Sequence, residues 1–280
     1  MNIYRKFSHF FLFGIALSLL LSAILYGMQM YFISLHSGEG LKPFTFSKIL
    51  SRTATIVLFV SMVWFRKRVD QKSIISLGLS NFSQNKHYLM KGFLAGIVSL
   101  SLVVIVQLLV GASTWNPKAW GTFETIKFVY ILFVVLLIGL VEELFFRGFL
   151  LQAWINELGT KKGALYTSLF FSLTHFIRPI HDPLLLIPEF IGLFLVGYAL
   201  SLAFIYTKSL YLPIGIHAGW VFVAKMESQF VDRIPYEMHW VFGGERLVTS
   251  AIAWVFMALF LLFLKKSYDV NQNKMNWSLY

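Results

Sequence analysis

An all-α fold, a polytopic bundle of about eight transmembrane helices, is predicted by three observations. Apolar residues make up 58% of the 280-residue chain and charged residues only 13%, where a soluble domain is about a quarter charged. Mean hydropathy is +0.71. Several uncharged runs, among them FVYILFVVLLIGLV at 128–141, approach the ~20 residues that cross a bilayer as helix. No polar stretch is long enough to hold a soluble domain. The chain has no cysteine, which excludes disulfides, thiol catalysis and cysteine metal sites. The net charge of +11 sits mostly in short loops between apolar runs. That is the footprint of membrane orientation rather than of nucleic-acid binding, so membrane lipid is the expected partner and nucleic acid is not.

The elements follow in order. The N-terminus has a basic start and an apolar run, like a signal peptide. The run is too long and no small-x-small site closes it, so it reads as a first retained helix. Spans are expected at about 8–33, 50–65, 89–112, 125–146, 163–178, 184–206, 210–226 and 248–264. With the N-terminus inside, the inner segments hold roughly twice as many Lys and Arg as the outer ones, which predicts N-in and C-in. The chain is then an integral multi-pass protein, expected in the bacterial cytoplasmic membrane. The loop Arg66 to His87 is polar enough to lie on the inner surface, and Glu227 to Arg246 reads as an interface-lying segment. Three regions result: N-terminal helices and an inner surface loop (1–123), a core (124–226), and the interfacial segment with the last helix and a cytoplasmic tail (227–280).

Ionisable residues inside a bilayer are costly and point to function. In VEELFFRGF, Glu143 and Arg147 are four apart and face each other on a helix, glutamate first, the favourable order. Glu142 points about 100° away and has no charged partner at i±3 or i±4, so it must look to other helices. In FFSLTHF, Phe171 and His175 share a helical face. In YLPIGIHAGWVF, Gly215 and Gly219 flank His217; they serve either a helix-packing seam or the close approach of a substrate. Converging on one water, such groups could carry out amide hydrolysis: a carboxylate takes the proton, a histidine orients the water, and another donor receives the oxyanion.

At these residues the chain resembles the CPBP (Abi) family of intramembrane proteases, which includes the type II CAAX prenyl endopeptidases. EELFFR at 142–147 matches the family's Glu-Glu-x-x-x-Arg, and FSLTH at 171–175 matches Phe-x-x-x-His. The third motif is His-x-x-x-Asn or Asp. Here HAGWV supplies His217 but places Val221 where the amide or acid belongs. The resemblance covers about residues 124–226. It implies that Glu142 activates water with His175, that Glu143 and Arg147 hold the geometry, and that His217 helps bind the oxyanion, normally with the residue at 221. Losing one oxyanion donor costs ~10²–10³ in rate.

The resemblance implies an endopeptidase acting on a membrane-associated protein or peptide, lipidated or not. No tightly bound cofactor is expected. Zinc is the second option, with Glu142, His175 and His217 as a plausible ligand set, although the HExxH pattern is missing. A proton- or cation-coupled transporter is the rival reading, and Glu189 beside Pro188 fits it better than a protease. A non-catalytic immunity or scaffold relative is the other alternative, for which Val221 speaks.

Overall fold

Apolar runs broken by short polar loops leave the backbone one way to satisfy its hydrogen bonds in hydrocarbon, the helix. The computed structural model describes residues 3–35, 43–79, 81–176, 186–234, 239–242 and 247–268. Its helices are α1 (Ile3–Leu35), α2 (Phe46–Arg68), α3 (Phe82–Leu109), α4 (Thr122–Glu143), α5 (Gln152–His175), α6 (Leu186–Thr207), α7 (Tyr211–Met226), α8 (His239–Phe242) and α9 (Ala251–Tyr268). The predicted all-α class is correct, and the chain is an integral, multi-pass membrane protein. Among the described residues six helices are long and apolar enough to cross a membrane.

That number differs from the eight expected spans for two reasons. The predicted fourth and fifth spans run together as one helical stretch, Thr122–His175, which turns at Gly159 (φ 79°, ψ 166°), a conformation open to glycine. Past the turn, a Cβ on Gly163 would stand 2.8 Å from Ile155, so its bare backbone lets the two arms of α5 lie close. The predicted seventh span is α7, only 16 residues long.

The chain divides into two compact units. The first comprises Met1–Ile74 with His175–Ile180. Within it α1 packs on α2; the Gln29 side chain both donates to and accepts from the backbone of Phe44, each at 3.0 Å, closing the hairpin just before α2. Thr45 caps α2, and Arg66, Lys67 and Arg68 fill its last turn, where cations complement the helix dipole. Leu12, Phe13, Leu20 and Tyr31 of α1 point outward, as suits a helix whose solvent is lipid.

The second unit, Ile75–Thr174 with His181–Tyr280, is built around α7. Gly92 and Gly96 of α3 face Gly215 and Gly219 of α7. A Cβ on Gly92 would run into the Leu212 carbonyl, and one on Gly215 into the Leu89 carbonyl. The two Gly-x-x-x-Gly runs thus interlock backbone to backbone. On another side, a Cβ on Gly139 of α4 would stand 3.0 Å from the Ile214 carbonyl. Helix α7 is therefore fixed closely between α3 and α4.

Loops complete this unit. Ser113–Trp115 (β1) and Val231–Arg233 (β2) pair antiparallel, with Ser113 opposite Arg233 and Trp115 opposite Val231. Alternation of the spans puts both loops on one side, and the ribbon ties them together. The inner loop does not lie wholly on the surface. Leu77 is 1% exposed; its carbonyl accepts from Gln152 Nε2 at 3.0 Å, the Gly78 carbonyl accepts from the Leu210 amide at 2.9 Å, and the Leu79 carbonyl accepts from the Tyr211 hydroxyl at 3.3 Å. Of the expected interfacial stretch, residues 235–238 and 243–246 lie outside the described residues, as does the tail from 269.

Candidate active site

Helix α4 does not end at the glutamates. Leu144–Leu151 continues as a π-helix of eight residues, all buried. Its hydrogen bonds reach i→i+5 rather than i→i+4, and such widened turns recur at functional sites. LFFRGFLL is apolar except for Arg147 and contains no proline, so the sequence gives no warning of the change in period. The chain packs tightly here: a Cβ on Gly148 would stand 3.0 Å from that of Leu77. Arg147, expected near a span edge, is instead 0% exposed.

The pairing predicted from spacing is present. Arg147 Nη1 donates to Glu143 Oε1 at 2.9 Å, with both side chains fully buried. A buried ion pair contributes little unless further hydrogen bonds satisfy its members, and here they do so in part: Arg147 Nη2 and Glu143 Oε1 have further partners, while Arg147 Nε and Glu143 Oε2 have none among the described residues. Arg147 Nη2 donates to the Gly197 carbonyl at 2.8 Å, and the guanidinium carbon lies 4.7 Å from the Phe171 ring centroid. Glu143 Oε1 takes a second bond from His217 Nδ1 at 2.8 Å. The other nitrogen of that imidazole, Nε2, lies 3.9 Å from Glu142 Oε2. Phe171 stands edge-on to His217, with 6.1 Å between ring centroids.

Four predicted residues therefore meet in one cluster: Glu142, Glu143, Arg147 and His217. The glycines beside His217 do form a helix seam, but the histidine is not incidental to it: while the glycines face α3, His217 reaches Glu143. The cluster is sealed around Glu143 and less so around Glu142, although the Glu142 Oε2 that faces His217 is itself buried. The Glu143 side chain is 0% exposed and that of Glu142 is 26% exposed. With Nδ1–H donated to Glu143, His217 presents Nε2 toward Glu142, and Glu143 sets the orientation of the ring. A water oxygen about 2.8 Å from each of Glu142 Oε2 and His217 Nε2 fits hydrogen-bond geometry.

His175 is the last residue of α5, half-buried, and belongs with the first compact unit. Glu189 is buried in the first turn of α6. Val221 packs against Ile131, Val135, Ala218 and Met226, so the position where the family motif has a polar side chain extends an apolar wall. Sequence reasoning missed Gly197 and the inner-loop carbonyls. The carbonyls carry no side-chain signal at all, and Gly197 shows only as one small residue in an apolar helix.

Catalytic zinc takes three protein ligands. Glu142 and His217 face a common point, but Glu143 Oε1 is committed to Arg147 and His217. Among the described residues no three His, Asp or Glu side chains are disposed to hold a metal.

Residues 124–223 match the family model described as Type II CAAX prenyl endopeptidase Rce1-like. No curated protein matches the chain. The matched segment runs from the start of α4 to α7 and contains every member of the cluster. Over that segment, 100 of the 280 residues, the chain is similar to the Rce1-like type II CAAX prenyl endopeptidases.

Proposed function

We propose that the protein is an intramembrane endopeptidase that hydrolyses a peptide bond of a membrane-associated protein or peptide, with Glu142 as the general base. The observation that carries this reading is the asymmetry of the two adjacent carboxylates. Glu143 is sealed in and bound to Arg147 and His217, whereas Glu142 is partly exposed and 3.9 Å from His217 Nε2. One carboxylate serves position and the other is left for chemistry.

In the proposed reaction Glu142 accepts a proton from water. The water oxygen forms a bond to the scissile carbonyl carbon, and the carbonyl π pair moves onto its oxygen. His217, oriented through Nδ1 by Glu143, donates from Nε2 to that oxyanion. This requires the imidazolium form, which balances the cluster: two carboxylates against one guanidinium and one imidazolium. Collapse re-forms the carbonyl and breaks the C–N bond, and Glu142 passes its proton to the leaving nitrogen. Preorganised donors in a dry site make up much of such catalysis. No step is routed through a metal.

Glu142→Gln tests the reading. The variant keeps size and hydrogen bonding but loses the base, so cleavage of an internally quenched, prenylated CAAX peptide by the detergent-solubilised protein should fall by at least ~10² with the unfolding midpoint unchanged. Cleavage at the wild-type rate would remove Glu142 from the role. Ion flux in proteoliposomes that depends on Glu142, with no cleavage by either form, would favour a carrier.

A further inference from the structure

Helix α6 meets the charged cluster through its backbone, which holds one member in place. Arg147 splits its fork, Nη1 to Glu143 at 2.9 Å and Nη2 to the carbonyl of Gly197 at 2.8 Å. The same carbonyl accepts from Ser201 Oγ at 2.9 Å, so its position is fixed from two directions. Residue 197 has little room for a side chain. A Cβ there would stand 3.1 Å from Ser168 Cα and 3.2 Å from Phe171 Cδ1. Phe171 is the ring that covers the Arg147 guanidinium at 4.7 Å and meets His217 edge-on.

From this we infer that Gly197 is a positioning residue for the reaction: its carbonyl anchors one arm of Arg147, and its missing side chain admits the Phe171 ring that covers the same guanidinium. The chain of contact runs from Gly197 to Arg147, from Arg147 to Glu143, and from Glu143 to His217 Nδ1. Each link is a direct hydrogen bond between groups that are buried. The glycines of α3 and α7 differ in kind, because they touch only backbone and bond to no charged group. This inference rests on the catalytic reading above for its consequence, but the anchoring itself is a matter of geometry and is tested separately.

The experiment uses Gly197→Ala and Gly197→Val in the full-length protein, with Gly27→Ala, whose added Cβ meets nothing within 4 Å, as a control. In a helix, alanine is intrinsically favoured over glycine, while the close contacts at 197 oppose that gain, so a purely structural account expects turnover of Gly197→Ala to change only as far as its unfolding midpoint does. If Gly197 positions the fork, kcat on the quenched prenylated peptide falls about three- to tenfold for alanine and more for valine, with KM within twofold, since misplacement by a fraction of an ångström is felt in the rate. Turnover of both variants equal to that of the control would overturn the inference. A second arm needs no activity. The drop in unfolding midpoint caused by Gly197→Val should shrink by at least half in an Arg147→Met background, because the group it disturbs is gone. An undiminished drop also overturns the inference. If the wild-type protein does not cleave the peptide, the catalytic reading fails, while this second arm still decides the anchor.

Discussion

Replacing Arg147 by methionine keeps most of the side-chain volume and removes the charge. It leaves Glu143, 0% exposed, with one donor instead of two. Breaking a buried ion pair by deleting one partner costs about 3–5 kcal/mol, because the survivor stays charged and unsolvated. The stacking on Phe171 is worth a further ~0.5–2 kcal/mol when desolvated. The hydrogen bond to the Gly197 carbonyl adds about 1 kcal/mol, and that carbonyl keeps Ser201 as a donor. Part of the loss is recovered by the hydrogen bond from His217, so the single variant should fall near 4 kcal/mol, within the range for broken buried pairs. Glu143→Gln together with Arg147→Met removes both charges and should cost markedly less than the two single changes added, a coupling of about 1–3 kcal/mol. Denaturant unfolding in detergent micelles, followed by tryptophan fluorescence, measures all four corners of the cycle. An Arg147→Met cost below about 1 kcal/mol, the range of exposed pairs, or strict additivity, would refute the claim that the pair is buried and mutually dependent.

Other expectations follow from the same geometry. Gly215→Ala drives a methyl into the Leu89 carbonyl; overpacking of this kind costs about 1–3 kcal/mol, and turnover should fall with the unfolding midpoint. Val221→Asn places an amide among Ile131, Val135, Ala218 and Met226. It should cost about 1–3 kcal/mol of stability while raising turnover, and unchanged turnover would mean that the second oxyanion donor comes from elsewhere. For His175, to which the resemblance alone gives a part in activating the water, His175→Ala should abolish cleavage with helix content by circular dichroism intact if that part holds; retained cleavage would separate the second motif from the chemistry. Lys208, buried in the turn between α6 and α7, has its pKa pushed down to about 7 by desolvation. The unfolded lysine keeps its proton up to about 10.4, so between these values the unfolded state binds more protons and stability rises with pH. The unfolding midpoint should climb from pH 7 to 10, and Lys208→Met should flatten that climb.

Local relations in this protein are legible in its sequence, and distant ones are not. Glu143 and Arg147 lie four apart, and the ion pair expected from that spacing is present even though the helix widens between them. The absence of a charged partner for Glu142 at i±3 or i±4 is equally readable. Its nearest basic group, His217, lies 75 residues further on, and nothing in the sequence states which helices touch. The glycines around His217 signalled a close approach, but their partners Gly92 and Gly96 could not be chosen from among the small residues of the other spans. The ribbon strands of three residues each are too short for an alternating pattern to show. Leu77 and Gly78 sit in a loop rich in polar residues, and their burial depends on carbonyls meeting Gln152 and Leu210 from elsewhere in the chain.

The interlocked glycines of α3 and α7 have a consequence for mutational scans. No reacting group lies at 92, 96, 215 or 219, yet each of these positions faces a neighbouring main chain with only a hydrogen between them. A survey scored on product formation alone would rank them beside the glutamates and the histidine. Only a parallel record of how much protein survives in the membrane would sort the bearings of the machine from its cutting edge.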